Sequence, residues 1–579
     1  MCLFNQRNLI KFLLFVLMIG FSGQIYSYAY GYEIKKSDIV SMYLSSDKYL
    51  KEYSVKDVVW GNQIRSSKNY LVGLKKELGI NYISANIPLI QESGKFLFCH
   101  GLENEKCINE YFKYYQSNKN NIDFLKDEFF LENSAVSADG EISYVPWIFK
   151  NRNKIIPIGT LHSPDLLLWY KNKIDQAARL GFDGIQVDEV LGSAITALGN
   201  GLGDYSQWSI KDFENRGNTF SKDNKGDFFK YQLESAAFLV KKLVEYAHKK
   251  GLVVSGNIDP AHWEKFSLIG GFDFLCSEVS TFKNSGGIND NYFYSLKLGQ
   301  SFGKDIVVTA KGNEWSNFSE QPREHDLAYA YALAYALGEK MVVPIEVWIS
   351  RPRNGSFHYS YESSLLISIT EWIQNHQKLF DNSVPFFDSA LLIPWSEYKA
   401  NDQELIKVVN KLNELGFQIR VFIEGGDDFE VAEFSRFKTI YVYKPGEFTR
   451  NGLGLVQSVK SGKPLFIDGV GSFQKMKYSN GLMISHSNPD VAYYLRKSVD
   501  GGEYFLHNIS GNFSQNYSDD INLNFGVTGF CQKIEYVQYS GFNLNQDHQD
   551  VNVPFSQEGC QLIIKYNNLS PWGIFTIKF

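Results

Sequence analysis

The stretch GFDGIQVDEV, Gly181–Val190, decides how the rest of the chain is read. Ile185 and Val187 suit one apolar face, while Gln186 and Asp188 share the opposite parity. Successive side chains of a strand project to opposite faces, so one face of this strand is polar and ends in a carboxylate. An unpaired buried carboxylate is costly, so Asp188 is either a working group or half of an ion pair, with Lys311 as the candidate partner. Glu189 takes the other parity and turns toward whatever packs outside the strand.

Working outward, SPDLLLWYKNKIDQAARLG (163–181) has the marks of a helix. Ser163 is a natural N-cap, Pro164 fits the first turn, Leu167, Tyr170, Ile174 and Ala177 form a stripe, and Gly181 supplies the stop. A second helix, 228–250, ends the same way at Gly251. Strands are expected at 57–64, 80–89, 182–190, 252–258, 272–279, 305–310 and 341–348, with one more within 128–148. Eight strands alternating with helices predict parallel βα units closed into a (β/α)8, or TIM, barrel with long loops. After Pro385 the apolar runs at 389–395, 417–425, 438–445 and 464–470 predict a small doubly wound α/β domain. From about 484 onward, short alternating strands separated by Asn, Gly and Ser predict a β-sandwich. The expected division is a leader at 1–29, a barrel at 30–384, an α/β domain at 385–480 and a sandwich at 481–579. The junctions near 385 and 480 read as the first sites of limited proteolysis.

At 579 residues the chain exceeds one compact core. A net charge of -6 gives no electrostatic footprint for nucleic acid. The 15% aromatic content suits stacking against pyranose faces and equally the filling of large cores. Arg7 and Lys11 precede the apolar run FLLFVLMIGF (12–21), and Ser27-Tyr28-Ala29 offers a cleavage site. That run is short for a membrane span and reads as a signal peptide, placing the mature protein in a secreted or periplasmic setting with no stable membrane span. Cys99 with Cys107, and Cys531 with Cys560, fit two local disulfides, and Cys276 reads as a buried thiol. No motif calls for a cofactor, and nothing has metal-ligand spacing. Asp188, Asp259 and His262 imitate a ligand set without a tight pattern.

A barrel carries its active site at the C-terminal ends of its strands. In order those ends offer Asn86, Asp188, Asn257, Glu278, Lys311 with Glu314, and Glu346 with Trp348. Several acids, two amides and aromatics around one mouth are the kit for cleaving a glycosidic bond. Trp348, inward by parity on the eighth strand, is the candidate floor of a sugar subsite. Tyr144 and Trp147 are a sugar platform or core, and His162 and His262 fall in loops near the mouth.

Asp183 to Asp188, DGIQVD, resembles the fourth-strand signature Asp-Gly-x-x-x-Asp of α-amylase-type and dextranase-type glycoside hydrolases. That resemblance implies Asp188 as nucleophile, although the α-amylase family carries Arg where this chain has Gln186. Dextranase-like families place an acid/base Glu after the sixth strand, which implies that role for Glu278 in FLCSEV. The order of barrel, amidotransferase-like α/β domain and β-domain resembles the β-galactosidase family whose middle domain forms trimers. That likeness implies a homo-oligomer through 385–480. In that family the fourth strand ends Asn-Glu, with a seventh-strand Glu as nucleophile; here Asp188-Glu189 and Glu314 stand instead. SYVPWI…GTLHSPD is similar to uncharacterised glycoside-hydrolase-like barrels. The reading is a secreted, retaining glycoside hydrolase acting on an oligo- or polysaccharide. Asp188 and Glu278 are the catalytic pair. Asn86, Trp147, His162, Gln186, Asn257, Lys311, Glu314, Glu346 and Trp348 bind substrate. An inactive carbohydrate-binding barrel and a metal-dependent hydrolase remain as alternatives.

Overall fold

A computed structural model describes residues 35–579 apart from 44–45, 61–66, 100–105, 108, 110, 112, 114–127, 145–156, 190–203, 222–224, 352–354, 401, 427–428, 430–433, 435, 450–451, 453, 455–463, 476–483, 526–531 and 543–549. The leader at 1–29, Trp147 and Cys531 lie outside the described residues. Among those described, no helix is long and apolar enough to cross a membrane.

Eight parallel strands close into a barrel: β1 (Ile39–Met42), β2 (Val55–Val59), β3 (Tyr82–Pro88), β4 (Gly184–Asp188), β5 (Val253–Asn257), β6 (Phe274–Val279), β7 (Ile306–Ala310) and β8 (Lys340–Val343). Closure runs between β1 and β8, where Val40 stands opposite Val342. The missing strand is therefore the first one and does not come from 128–148. That region holds a short helix, Glu128–Asn133, and isolated bridges such as Val136 to Ile142. The run expected as one strand over 341–348 is also divided. β8 stops at Val343, and Val347–Arg351 pairs with Gly355–Tyr359 in a separate hairpin. Glu346, with φ of 51°, is the hinge between the two.

Each residue of DGIQVD now has a physical reason. The Asp183 carboxylate accepts from the backbone N–H of Ile83 at 2.9 Å and pairs with Lys75, tying β4 to β3. Gly184 makes room: a Cβ there would lie 2.2 Å from the Tyr82 hydroxyl, which fills the barrel interior. Ile185 and Val187 are buried, and Gln186 and Asp188 stand in register with Asn86 and Pro88 of β3. The preceding helix, Pro164–Leu180, is capped by the Ser163 hydroxyl, which accepts from the Leu166 N–H at 3.3 Å. Its buried stripe is Leu166, Trp169, Tyr170, Ile174 and Ala177; Leu167, expected in that stripe, is only half-buried.

Ser389–Ile393, Ile419–Ile423, Thr439–Tyr443 and Leu465–Ile467 form a parallel sheet in which the first strand lies between the second and third. Two antiparallel sheets follow, one of six strands and one of four, with a shared apolar core. The six-stranded sheet recruits Ser383–Pro385, which pairs with Val491–Ser498. The guanidinium of Arg496, 1% exposed, donates to the Ser383 hydroxyl at 2.8 Å and the Ser383 carbonyl at 2.6 Å. The junction near 385 is thus a strand paired on the six-stranded sheet. Cys99 is bonded to Cys107, and Cys560 is disulfide-bonded. Cys276 is buried and free.

His507, on the strand Glu503–Ser510, is fully buried between this sheet and the barrel's outer helices, and its ring lies 5.9 Å from that of Phe380. Neither ring nitrogen has a hydrogen-bond partner. Burial, then the nearby Arg496 charge, push the imidazole well below its ordinary value. The group therefore takes up a proton only on unfolding, so its contribution to stability is present above about pH 6.5 and is lost as pH falls. Between about pH 6.5 and pH 5.5 the native protein should lose about 1 kcal/mol that His507→Leu does not lose. Urea denaturation of the two proteins at both pH values checks this; parallel pH dependences would contradict a buried neutral imidazole.

Candidate active site

Inward parity brings Asn86, Asp188, Asn257 and Glu278 to the C-terminal ends of β3 to β6. Asp188 is clamped. Its Oδ1 accepts from the Asn257 amide at 2.7 Å and from the Glu189 backbone N–H at 2.8 Å, while the Asn86 amide lies 3.4 Å from Oδ2. Gln186, fully buried one layer below, accepts from the Ser255 hydroxyl. No ion pair joins Asp188 to Lys311 among the described residues. Lys311 instead acts electrostatically on Glu278 and Glu314.

Glu278 is the second acid at this mouth. Burial first, and then the Asp188 charge, push its carboxyl up to about 7, against the opposing pull of Lys265 and Lys311. A carboxyl held near neutrality beside an anionic partner can carry a proton that it is able to give away. Glu189 turns away from the mouth, as its parity predicts. Its carboxylate receives the backbone and side-chain N–H groups of Gln91, both at 3.1 Å, at the start of the helix Leu89–Cys99. Burial and the Asp188 charge raise its carboxyl as well. Its backbone has φ of 51°, a strained setting for a residue with a Cβ, as at Tyr43 and Trp60 after β1 and β2.

The other expected groups divide. Glu314 accepts from the Thr281 N–H at 2.8 Å and the Phe282 N–H at 3.3 Å, bracing the loop after β6, and burial raises its carboxyl. Glu346 and Trp348 leave the eighth strand, and the Trp348 ring lies against Gly312, where a Cβ would come within 2.2 Å of it. His162 stands apart in a cluster of its own. Its Nδ1 is 3.4 Å from Asp204, which also accepts from Thr160 at 2.6 Å, and its ring is stacked on Tyr231. His262 is exposed, and Asp259 is taken up by the Ser295 hydroxyl at 2.9 Å and the Ala261 N–H at 3.0 Å. Among the described residues no three His, Cys, Asp or Glu side chains converge on a metal position.

Two groups escape sequence reasoning. Tyr43, just past β1, has its phenol raised by burial and then by the charges of Asp188, Glu278 and Glu189, which places it at the same mouth. Parity along IVSMY would have found it had β1 been recognised. Lys265 ends a short 3-10 helix, Trp263–Lys265, in the loop after β5; it senses Asp259, Glu278, Asp188 and Glu264, and burial lowers its ammonium. No periodic signal marks that residue.

Compared by sequence, the chain matches no family model and no curated protein. By structure it is similar to α-L-fucosidase isoenzyme 2 from Paenibacillus thiaminolyticus, with a TM-score of 0.62 and 11% identity over 94% of this chain and 100% of that one. A β-galactosidase from Bacillus circulans sp. alkalophilus is similar at a TM-score of 0.54 and 10% identity, over 91% of this chain and 98% of that one. The β-galactosidase from the psychrophilic Marinomonas ef1 follows at 0.50 and 8%, over 93% and 100%. At these identities the likeness is one of fold, and it spans nearly the whole length of all four chains: this protein has a closed eight-stranded TIM barrel with further domains after it.

Proposed function

We propose that the protein is a glycoside hydrolase that cleaves an oligo- or polysaccharide with retention, using Asp188 as nucleophile and Glu278 as acid and base. The observation that carries this reading is the contrast between two carboxyls at one barrel mouth. Asp188 is clamped as a hydrogen-bond acceptor by Asn257 and the Glu189 N–H, while Glu278 is held protonated to about 7. The neighbouring fold in enzymes that carry the names fucosidase and β-galactosidase supports the reaction class. The Cys99–Cys107 disulfide supports an extracytoplasmic setting.

In the first step Asp188 forms a bond to the anomeric carbon as the bond from that carbon to the leaving oxygen breaks, and Glu278 gives its proton to that oxygen. In the second step Glu278, now a carboxylate, takes a proton from water, whose oxygen displaces Asp188 from the anomeric carbon. Asn86 and Asn257 fix the attacking carboxylate, and Lys311 steadies the charge that Glu278 acquires. Trp348 offers a sugar face, with Glu346 as a more distant hydroxyl acceptor.

Asp188→Asn should abolish turnover of aryl glycosides while leaving the melting temperature close to wild type. Glu278→Gln should lose about 10²- to 10⁴-fold, the usual worth of a positioned acid, and lose least on substrates with good leaving groups. Full activity in Asp188→Asn would sink the mechanism. Proton NMR of the first-formed product should show the anomeric configuration of the substrate; the opposite configuration would exclude a glycosyl-enzyme.

The pH dependence has a definite sign. Glu278 must be protonated to act, so kcat/KM should fall as pH rises through about 7. Removing the Asp188 charge should lower the Glu278 midpoint, because that charge is one of the two causes raising it. Carbon-13 titration of glutamate carboxyls in Asp188→Asn measures this directly. An unmoved midpoint would separate the two groups.

A further inference from the structure

We propose that Tyr398 of the parallel α/β domain is a positioning residue for the barrel's carboxylate pair: by holding the Pro260 carbonyl it fixes the loop after β5, and so places Lys265 against Asp188 and Glu278. The loop has two sets of anchors. Its beginning belongs to the barrel, where the Ile258 N–H donates to the Cys276 carbonyl at 3.2 Å and Asp259 accepts from Ser295 at 2.9 Å. From Pro260 onward the main anchor comes from the helix Trp395–Ala400 of the second domain.

The contacts are specific. The Tyr398 hydroxyl, on a side chain 1% exposed, donates to the Pro260 carbonyl at 2.7 Å. Trp395 meets the Trp263 ring edge-on at 6.4 Å and the Phe266 ring at 4.9 Å, and Tyr398 meets Phe266 at 5.8 Å. The Lys399 ammonium lies 4.8 Å from the Trp263 ring centre. Lys265 stands between Trp263 and Phe266 in sequence, so both of its flanking rings are held by the second domain. Phe229 and Phe302 add barrel-side contacts to Trp263 and Phe266.

Lys265 reaches back toward the site, with Nζ 3.5 Å from the carbonyl of Asn257, the residue whose amide clamps Asp188. The charged groups facing it are Asp259, Glu278, Asp188 and Glu264; those facing Glu278 are Asp188, Lys265 and Lys311, with the Tyr43 phenol beside them. A cation fixed near a carboxyl favours its ionised form, and a cation released into solvent is screened. The second domain therefore takes part in setting the protonation of an acid on the barrel, and a barrel cut free of it would carry a different acid.

The test is a double-mutant cycle on Tyr398→Phe and Lys265→Met, read by the Glu278 carboxyl in glutamate-labelled protein and assigned by its absence in Glu278→Gln. Tyr398→Phe should raise the Glu278 midpoint by about half a pH unit, Lys265→Met by at least as much, and the double variant no further than Lys265→Met alone. Trp395→Phe, which loosens the same loop by its rings, should move the midpoint in the same direction. The descending limb of kcat/KM should follow; that arm rests on the glycosidase reading, whereas the titration does not. A protein that turns over no glycoside but shows the shifts would fail the function and keep this proposal. A midpoint unmoved in Tyr398→Phe, or one that shifts equally with and without Lys265, would overturn the proposal.

Discussion

Closing eight parallel strands on themselves forces their inward side chains to share one crowded interior, and the mouth of this barrel is what remains at its rim. Val40 opposite Val342 completes the ring, and from that closure each inward row ends at the same face. Tyr82 fills the space that Gly184 vacates, Gln186 and Ser255 bond to each other above it, and Asp188 comes next in the row. The carboxylate is rigid because the layers beneath it are full. The same packing partly desolvates Glu278, and that desolvation is the largest cause of its raised carboxyl.

The mouth is built from more than strand ends. The loop after β6 is braced by Glu314, the hairpin after β8 delivers Trp348 onto Gly312, and the loop after β5 carries Lys265 under contacts from the next domain. Each loop is held by hydrogen bonds or rings from a different part of the chain. Tertiary packing thereby preorganises charges that flexible loops would leave in solvent.

The accessory domains are joined to the barrel by buried, bonded surfaces. Arg496 reaches Ser383 in the recruited strand at the end of the barrel region, and Lys297 of the helix Asp290–Ser301 lies 3.3 Å from the Ile419 carbonyl of the parallel sheet. Trp372 and Trp572 meet with ring centres 4.8 Å apart across the junction with the antiparallel sheets. Interfaces of this apolar, hydrogen-bonded kind hold neighbouring domains in fixed register, as the Tyr398 hydroxyl does with the Pro260 carbonyl.

Much of this was legible in local pattern. Alternation along GIQVD placed Gln186 and Asp188 on one face, capping residues marked the helix Pro164–Leu180, and runs of apolar residues marked seven of the eight barrel strands. These are properties of a few consecutive residues, and the period of a strand or helix is enough to read them. β1 was not legible, because four residues of IVSM carry too little alternation to stand out, and Tyr43 was lost with it. The split of 341–348 was hidden because an apolar run does not show where barrel pairing stops and hairpin pairing begins. Whether Glu278 keeps its proton depends on burial and on charges contributed from β4, the loop after β5 and the end of β7. The sequence by itself determined which residues can face inward; only the tertiary structure decided which charges meet, since solvation and Coulomb energy are sums over neighbours far apart in the chain.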